Sequence, residues 1–243
     1  MVYLGSKARL VKYIAPILQK CIDDNHIDTY IEPFVGGANM IENIKCKNRI
    51  GSDANPELIE LLKYMQSDPE LKLAPDACGF EHYKDVRENR KNNTGKYPVY
   101  YTALIGFFAS FAGRYFDGGF GRDKKGGREI YSERLRNARE QAPNLKDIIF
   151  ECRDYKEFKD IKNAVFYFDP PYKDTKNYSK FKIDYDEFYD FVRELSKNNF
   201  CFVSEFNMPD DFKIVWEKDR KLLLRADRID REDIVKTERL YSI

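Results

Sequence analysis

Apolar residues along the chain follow two spacings, one typical of strands and one typical of helices. Short apolar runs predict strands at residues 29–31, 49–52, 147–151, 164–168 and 200–204, with further strands late in the chain at 213–216, 221–225 and 240–243. Helical spacing predicts helices at residues 7–21 (with Ser6 as cap and Pro16 as a kink), through Met40, Ile41 and Ile44, from Pro56 onward, and at 185–197. Strands that alternate with helices predict an α/β fold with a doubly wound, mostly parallel sheet.

The middle of the chain, residues 68–145, interrupts this alternation. It contains charged stretches, an apolar run at 99–112 and a glycine-rich basic loop at 113–127. A membrane-spanning helix needs about 20 apolar residues, so the run of 14 predicts a buried helix instead. We therefore expect one domain formed by residues 1–67 and 146–243, with a mainly helical insertion at 68–145.

Composition places the chain among globular proteins. The 243 residues include 42 Lys and Arg against 41 Asp and Glu, which argues against a wholly basic nucleic-acid coat but leaves room for a local basic patch. The five cysteines form no CxxC pair, and neither histidine has a partner at metal-ligand spacing. The beginning of the sequence has no apolar core of signal-peptide length. We expect reduced thiols, a cytoplasmic location, and neither a metal nor a membrane as partner.

The segment after the strand at 164–168 carries the clearest chemical signal. Asp169, Pro170, Pro171 and Tyr172 follow the strand directly. In an open α/β sheet the carboxyl ends of the strands line the ligand crevice. The two prolines stiffen the backbone and remove two N–H donors, which leaves carbonyl acceptors beside a carboxylate and a flat ring. This combination suits a planar substrate with an exocyclic amine.

Asp-Pro-Pro-Tyr, taken with other segments in the same order, resembles the DPPY motif of Dam-like DNA adenine-N6 methyltransferases. Residues 32–37, Glu-Pro-Phe-Val-Gly-Gly, resemble the cofactor loop of that family, and residues 3–7 resemble its N-terminal cofactor segment. The resemblance covers nearly the whole chain. It implies a Rossmann-like methyltransferase fold, S-adenosylmethionine as cofactor, and a flipped-out adenine in double-stranded DNA as substrate, with no metal.

The resemblance also assigns roles to residues. It places catalysis at Asp169, Pro170, Pro171 and Tyr172. It places cofactor binding at Tyr3, Lys7, Glu32, Phe34, Gly36, Gly37, Asp53, Asp154, Tyr155 and Asp169.

Several of these cofactor roles also have a physical basis. Gly36 and Gly37 allow a close backbone approach, and a helix N-terminus after them would suit the carboxylate of the cofactor. Asp53, at the end of a strand, is placed to accept from both ribose hydroxyls. Two departures from the family are Ala38, where many relatives have glycine, and Tyr3, where they often have tryptophan.

The insertion carries a local basic excess. Residues 113–139 contain eight basic and four acidic side chains, on a glycine-rich background with several aromatics. Such a loop suits phosphate contact and base stacking, although a solvated loop above an aromatic core has the same composition. By resemblance the segment lies in the target-recognition region, and we expect DNA contacts from Arg114, Tyr115, Arg122, Lys124, Lys125 and Arg128.

Other functions remain open from the sequence. Methyl transfer to cytosine N4, to RNA or to a protein amide would use similar chemistry, and a DNA-binding module with a degenerate cofactor site is the alternative of a different class. The insertion gives no code for a target sequence; GATC is common among Dam-like enzymes. A cognate restriction endonuclease is a candidate partner, beside an orphan or phage role.

Overall fold

The fold is a mixed α/β structure, as predicted. A computed structural model describes residues 1–122, 129–173, 183–222 and 234–243. Within these ranges the strands are β1 Thr29–Glu32, β2 Asn48–Asp53, β3 Ile148–Cys152, β4 Val165–Phe168, β5 Phe200–Glu205, β6 Lys213–Leu222 and β7 Ile234–Ser242. The α-helices are α1 Val11–Asp24, α2 Pro56–Ser67, α3 Phe80–Asn92, α4 Val99–Ala109, α5 Ile130–Gln141 and α6 Tyr185–Ser196.

The seven strands form one mostly parallel sheet in the order β3-β2-β1-β4-β5-β7-β6. Strands β1 to β5 are parallel, whereas β7 lies antiparallel between β5 and β6. The strand order reverses between β1 and β4, and ligands of such sheets bind at the carboxyl edge beside this switch point. The carboxyl ends of β1, β2, β4 and β5 therefore share one edge.

Apolar side chains fill both faces of the sheet, because successive strand residues point to opposite sides. Tyr30 and Tyr167 belong to a large core shared with α1, α2, α4 and α5. Their strand neighbours Ile31 and Phe166 belong to a second core with α6. This two-sided burial explains why the central strands are continuous apolar runs.

The first two helices are held by different end contacts. Helix α1 begins at Val11, later than the predicted Lys7, and contains Pro16. The Ser6 hydroxyl accepts from the Ala8 N–H at 3.2 Å and closes a turn ahead of the helix. Helix α2 begins at Pro56, as predicted, and the Asn55 side chain caps it by accepting from two backbone N–H groups.

The predicted helix through Met40, Ile41 and Ile44 is wrong. The segment is a loop with a single 3₁₀ turn at Ile41–Asn43. Ala38 has a φ of 58°, in the left-handed region, so the chain turns where a helix would start. The three apolar side chains are nevertheless buried, because the loop packs directly on the core.

The region at 68–145 contains α3, α4 and α5. Helix α4 is the predicted buried helix, and all its residues from Thr102 to Ala109 are buried. A Cβ on Gly106 would lie 2.5 Å from the Tyr115 ring, so glycine is needed where the chain beyond α4 packs back on it. In the described part of the chain, no helix combines the length and the apolar character needed to cross a bilayer.

The segments predicted as separate strands at 213–216 and 221–225 belong, where they are described, to one continuous strand, β6, and the strand predicted at 240–243 is the end of the longer strand β7. Residues 213–216 begin β6, and residues 240–242 end β7. The two strands pair with each other over most of their lengths. Residues 223–225 of the strand predicted at 221–225 lie outside the described residues.

Candidate active site

Four acidic residues lie at the carboxyl edge of the sheet. Glu32 ends β1, Asp53 ends β2, Asp169 follows β4 and Glu205 ends β5. Burial raises the pKa of Asp53 to about 6 and that of Glu205 to about 7, and it raises the pKa of Glu32 well above its usual range. The Tyr30 hydroxyl donates to Glu32 at 2.6 Å. The edge is thus a partly desolvated, acidic surface.

Asp169 is paired with Lys7. The Lys7 Nζ lies 2.6 Å from Asp169 Oδ1, and the two side chains are 7% and 19% exposed. Burial raises the pKa of Asp169, and the ammonium of Lys7 opposes that rise. The pair keeps a charged acceptor at the mouth of the sheet, and it gives Lys7 a partner other than the cofactor carboxylate expected from the resemblance.

Tyr172 is buried and held from several directions. Its hydroxyl donates to Glu238 Oε2 at 2.7 Å. Its ring is perpendicular to that of Phe206 at 4.5 Å between centroids, and Lys7 Nζ lies 4.4 Å from the ring centroid. Lys7 therefore contacts both the acid and the aromatic residue of the Asp-Pro-Pro-Tyr segment. Pro170 and Pro171 lie between these two residues in the sequence; Pro170 is buried and Pro171 is half-buried.

The glycine loop packs against the start of the chain. Gly36 has a φ of 48°, and a Cβ there would lie 3.0 Å from the Tyr3 ring. A Cβ on Gly37 would lie 2.8 Å from the Met1 carbonyl oxygen. Burial raises the pKa of Tyr3, and the nearby carboxylates of Asp53 and Asp169 add to that rise. Tyr3 thus lies close to the ends of both β2 and β4, and the loop glycines make room for it.

Asp53 is oriented by the backbone. Its two oxygens accept from Gly36 N at 3.3 Å and from Asn55 N at 3.0 Å. A carboxylate oxygen can accept more than one hydrogen bond, so Asp53 keeps capacity for hydroxyl donors. Its position at the end of β2, one strand from the switch point, agrees with the position from which an acid was expected to accept from ribose hydroxyls.

Phe34 and Tyr155 form an aromatic wall beside the loop. Their ring centroids lie 5.5 Å apart, and Phe34 is only half-buried. Asp154 has a local role in addition: it accepts from Lys156 N at 3.0 Å and forms a capping box with Glu157 at the 3₁₀ turn Tyr155–Phe158. Tyr155 is buried, so the half-buried Phe34 is the part of this wall that offers apolar surface to a flat ring.

The predicted DNA-binding residues are found in different settings. The Tyr115 hydroxyl accepts from Arg90 Nε at 2.9 Å, and Arg90 also forms two hydrogen bonds with Glu57 on α2. Arg114 is half-buried, whereas Arg122 is exposed with its guanidinium 4.8 Å from the Phe80 ring centroid. The remaining three, Lys124, Lys125 and Arg128, lie outside the described residues.

Two site residues were missed by the sequence analysis. Glu205 ends a predicted strand, as Asp53 does, and that shared position was a usable signal. It accepts from Phe206 N at 2.7 Å and from Lys173 N at 3.2 Å. Glu238 gave no such signal, because its place depends on β7 entering the sheet beside β5.

The residues at this edge fit a ligand with vicinal hydroxyls and a flat ring. Asp53 offers acceptors to hydroxyl groups, and the half-buried Phe34 offers an apolar surface. S-adenosylmethionine has both features.

Comparison with known sequences decides the family. Residues 3–243 match the sequence profile of the family described as D12 class N6 adenine-specific DNA methyltransferase. The chain belongs to this family.

Three individual relatives share 25–28% sequence identity with the chain. It is 28% identical over 188 residues to the modification methylase StsI of Streptococcus sanguinis, a match that covers 70% of this chain and 28% of that protein. It is 25% identical over 206 residues to the type II methyltransferase M.MjaIII of Methanocaldococcus jannaschii, covering 74% and 70% respectively. The type II methyltransferase M.FokI of Planomicrobium okeanokoites is 25% identical over 190 residues, covering 70% and 28%. The chain therefore spans little more than a quarter of two of these relatives.

Proposed function

We propose that this protein transfers a methyl group from S-adenosylmethionine to N6 of an adenine that is flipped out of double-stranded DNA. The observation that carries the proposal is that Lys7 contacts both the Asp169 carboxylate, at 2.6 Å, and the Tyr172 ring, at 4.4 Å, so an acceptor and an aromatic ring lie together just after β4. Membership of the D12 class family supports the same reaction.

In this proposal Asp169 and the Pro170 carbonyl accept the two hydrogens of the adenine N6 amine. Extruding a base from the duplex costs a few kcal/mol. Stacking on the Tyr172 ring offsets this by roughly 1–3 kcal/mol. Lys7, which contacts both Asp169 and Tyr172, must shift when the base enters. Holding the amine hydrogens directs the nitrogen lone pair outward and stabilises the positive charge that develops on N6.

The cofactor would be held by the residues around the switch point. Asp53 would accept from the ribose hydroxyls, Phe34 and Tyr155 would flank the adenine, and Tyr3 would close the side of the Gly36 loop. When bound, S-adenosylmethionine supplies an electrophilic methyl group. The chain itself contributes the orientation of the amine, the acceptor at Asp169 and a site that excludes water.

DNA recognition is proposed for the region at 68–145. Arg122 is exposed and suits a phosphate contact. The relatives include type II methyltransferases, and we extend the proposal to a cytoplasmic role beside a cognate restriction endonuclease.

The test uses unmethylated DNA amplified in vitro and tritiated S-adenosylmethionine. Wild-type protein is expected to label the DNA, and nuclease digestion with mass spectrometry is expected to find N6-methyladenine. Asp169→Asn should lose about 100-fold or more of the rate, because it removes a charged acceptor at the reacting nitrogen. The matched control is Asp160→Asn, a change at an exposed acid ahead of β4, which should leave the rate unchanged.

Other products identify the alternatives. N4-methylcytosine would refute the adenine assignment, and labelling of RNA in place of DNA would refute DNA as the substrate. Failure to bind S-adenosylmethionine at millimolar concentration in calorimetry would refute the enzyme and favour a DNA-binding module.

A further inference from the structure

Glu238 is a buried acid from a distant part of the chain that reaches the candidate active site. Strand β7 runs antiparallel to β5, with Ser204 opposite Leu240 and Glu205 opposite Arg239. The residue before Arg239 therefore lies just past the carboxyl end of β5. Glu238 is 4% exposed, and its Oε2 accepts from the Tyr172 hydroxyl at 2.7 Å. Residues 66 positions apart are thus joined at the Asp-Pro-Pro-Tyr segment.

The segment around Tyr172 needs anchors of this kind. Pro170 and Pro171 have no backbone N–H, so the segment cannot be fixed there by backbone donors. The next N–H, that of Lys173, donates to Glu205. The ring itself is held at its hydroxyl end by Glu238 and along its side by Phe206. One acid therefore anchors the backbone and another anchors the ring.

Burying a carboxylate is unfavourable unless it is hydrogen-bonded, so a buried acid that bonds the ring hydroxyl suggests that this hydrogen bond has a function. Stacking on a flat base depends on the plane and the position of the ring. A phenol fixed only by apolar contacts can tilt, whereas one that donates to a charged acceptor is held at both ends. The hydrogen bond is therefore suited to keeping the ring in its stacking position before the base arrives.

We propose that Glu238 is a positioning residue for methyl transfer, which acts by holding the Tyr172 ring in the orientation that stacks on the target adenine. The inference rests on the proposed function, since it presumes that Tyr172 meets the base. It adds a residue outside the Asp-Pro-Pro-Tyr motif to the machinery of the reaction.

The test is a double-mutant cycle between Tyr172→Phe and Glu238→Ala. Single-turnover methylation of in-vitro-amplified DNA is measured at saturating S-adenosylmethionine for the wild type, the two single variants and the double variant. Each single change removes the same charged hydrogen bond and should slow methylation by about 10-fold. The double variant should be no slower than the slower single variant, within about 2-fold. Glu238→Gln keeps a neutral acceptor and should recover most of the rate.

A purely structural role gives a different pattern. In that case Glu238→Ala lowers the midpoint of urea unfolding, while the methylation rate of the folded fraction stays at the wild-type value. That result, or a double variant whose losses multiply, overturns the inference. Glu238→Gln and Tyr172→Phe are conservative enough to keep the test available if Glu238→Ala does not fold. A wild-type protein that does not methylate DNA refutes the proposed function itself, whereas an active wild type with multiplying losses refutes only the role of Glu238.

Discussion

Replacing Glu205 by glutamine should change how the stability of the protein depends on pH. Burial at the end of β5 raises the pKa of this acid from 4.5 to about 7. Below pH 4.5 the acid is protonated in both states and contributes no difference. As the pH rises, the unfolded chain loses the proton first, while the folded protein keeps it until about pH 7. A pKa difference of this size corresponds to about 3 kcal/mol, so the wild type should lose up to that much stability across the window.

The assay is urea unfolding at pH values from 4.5 to 8, with and without the substitution. Glutamine can still accept from the N–H groups of Phe206 and Lys173, so the fold should be kept. The free energy of unfolding of Glu205→Gln, relative to the wild type, should rise with pH and level off above pH 7. The exposed Glu140→Gln variant controls for the loss of a negative charge. Parallel curves for the wild type and Glu205→Gln would refute the reasoning.

Two further changes test the cofactor side. Gly36→Ala should destabilise the protein by about 1–2 kcal/mol for the positive φ alone, and by more once the Tyr3 ring is displaced. Gly5→Ala, which also has a positive φ but open space around it, is the matched control in urea unfolding, and equal losses would contradict the contact with Tyr3. Asp53→Asn should weaken S-adenosylmethionine binding in calorimetry by roughly 10-fold or more, because it removes a charged acceptor; unchanged affinity would exclude Asp53 from the cofactor site.

Much of the sheet could be predicted because its strands are buried on both faces. The run ending at Phe168 is continuously apolar, which is typical of a central parallel strand, and an acid follows it. The segment after Gly37 shows the limit of this reasoning. Its apolar spacing correctly indicates which side chains are buried, but Ala38 adopts a left-handed φ and the Asn39 side chain donates to Met1 and Ser6. Spacing reports burial, whereas these contacts fix the conformation.

The same distinction separates the site residues that could be predicted from those that could not. Residues at the ends of strands, such as Asp53 and Asp169, could be found from sequence because a parallel sheet brings strand ends together. The hydrogen bond between Tyr172 and Glu238 could not, since it depends on an antiparallel strand entering between β5 and β6. Lys7 was found, but its partner was not, because pairing with Asp169 is set by three-dimensional packing.

The position of β7 also has a consequence for how the protein is made. A nascent chain that has delivered Tyr172 must add 66 more residues before Glu238 can reach it. At synthesis rates of about 5–20 residues per second, this takes roughly 3 to 13 s. Until then β5 has an unpaired edge, and the sheet lacks the strand that anchors the ring. The cofactor side, formed largely from β1, β2 and β4, precedes β7 in the chain, so the substrate side of the site is completed after the cofactor side.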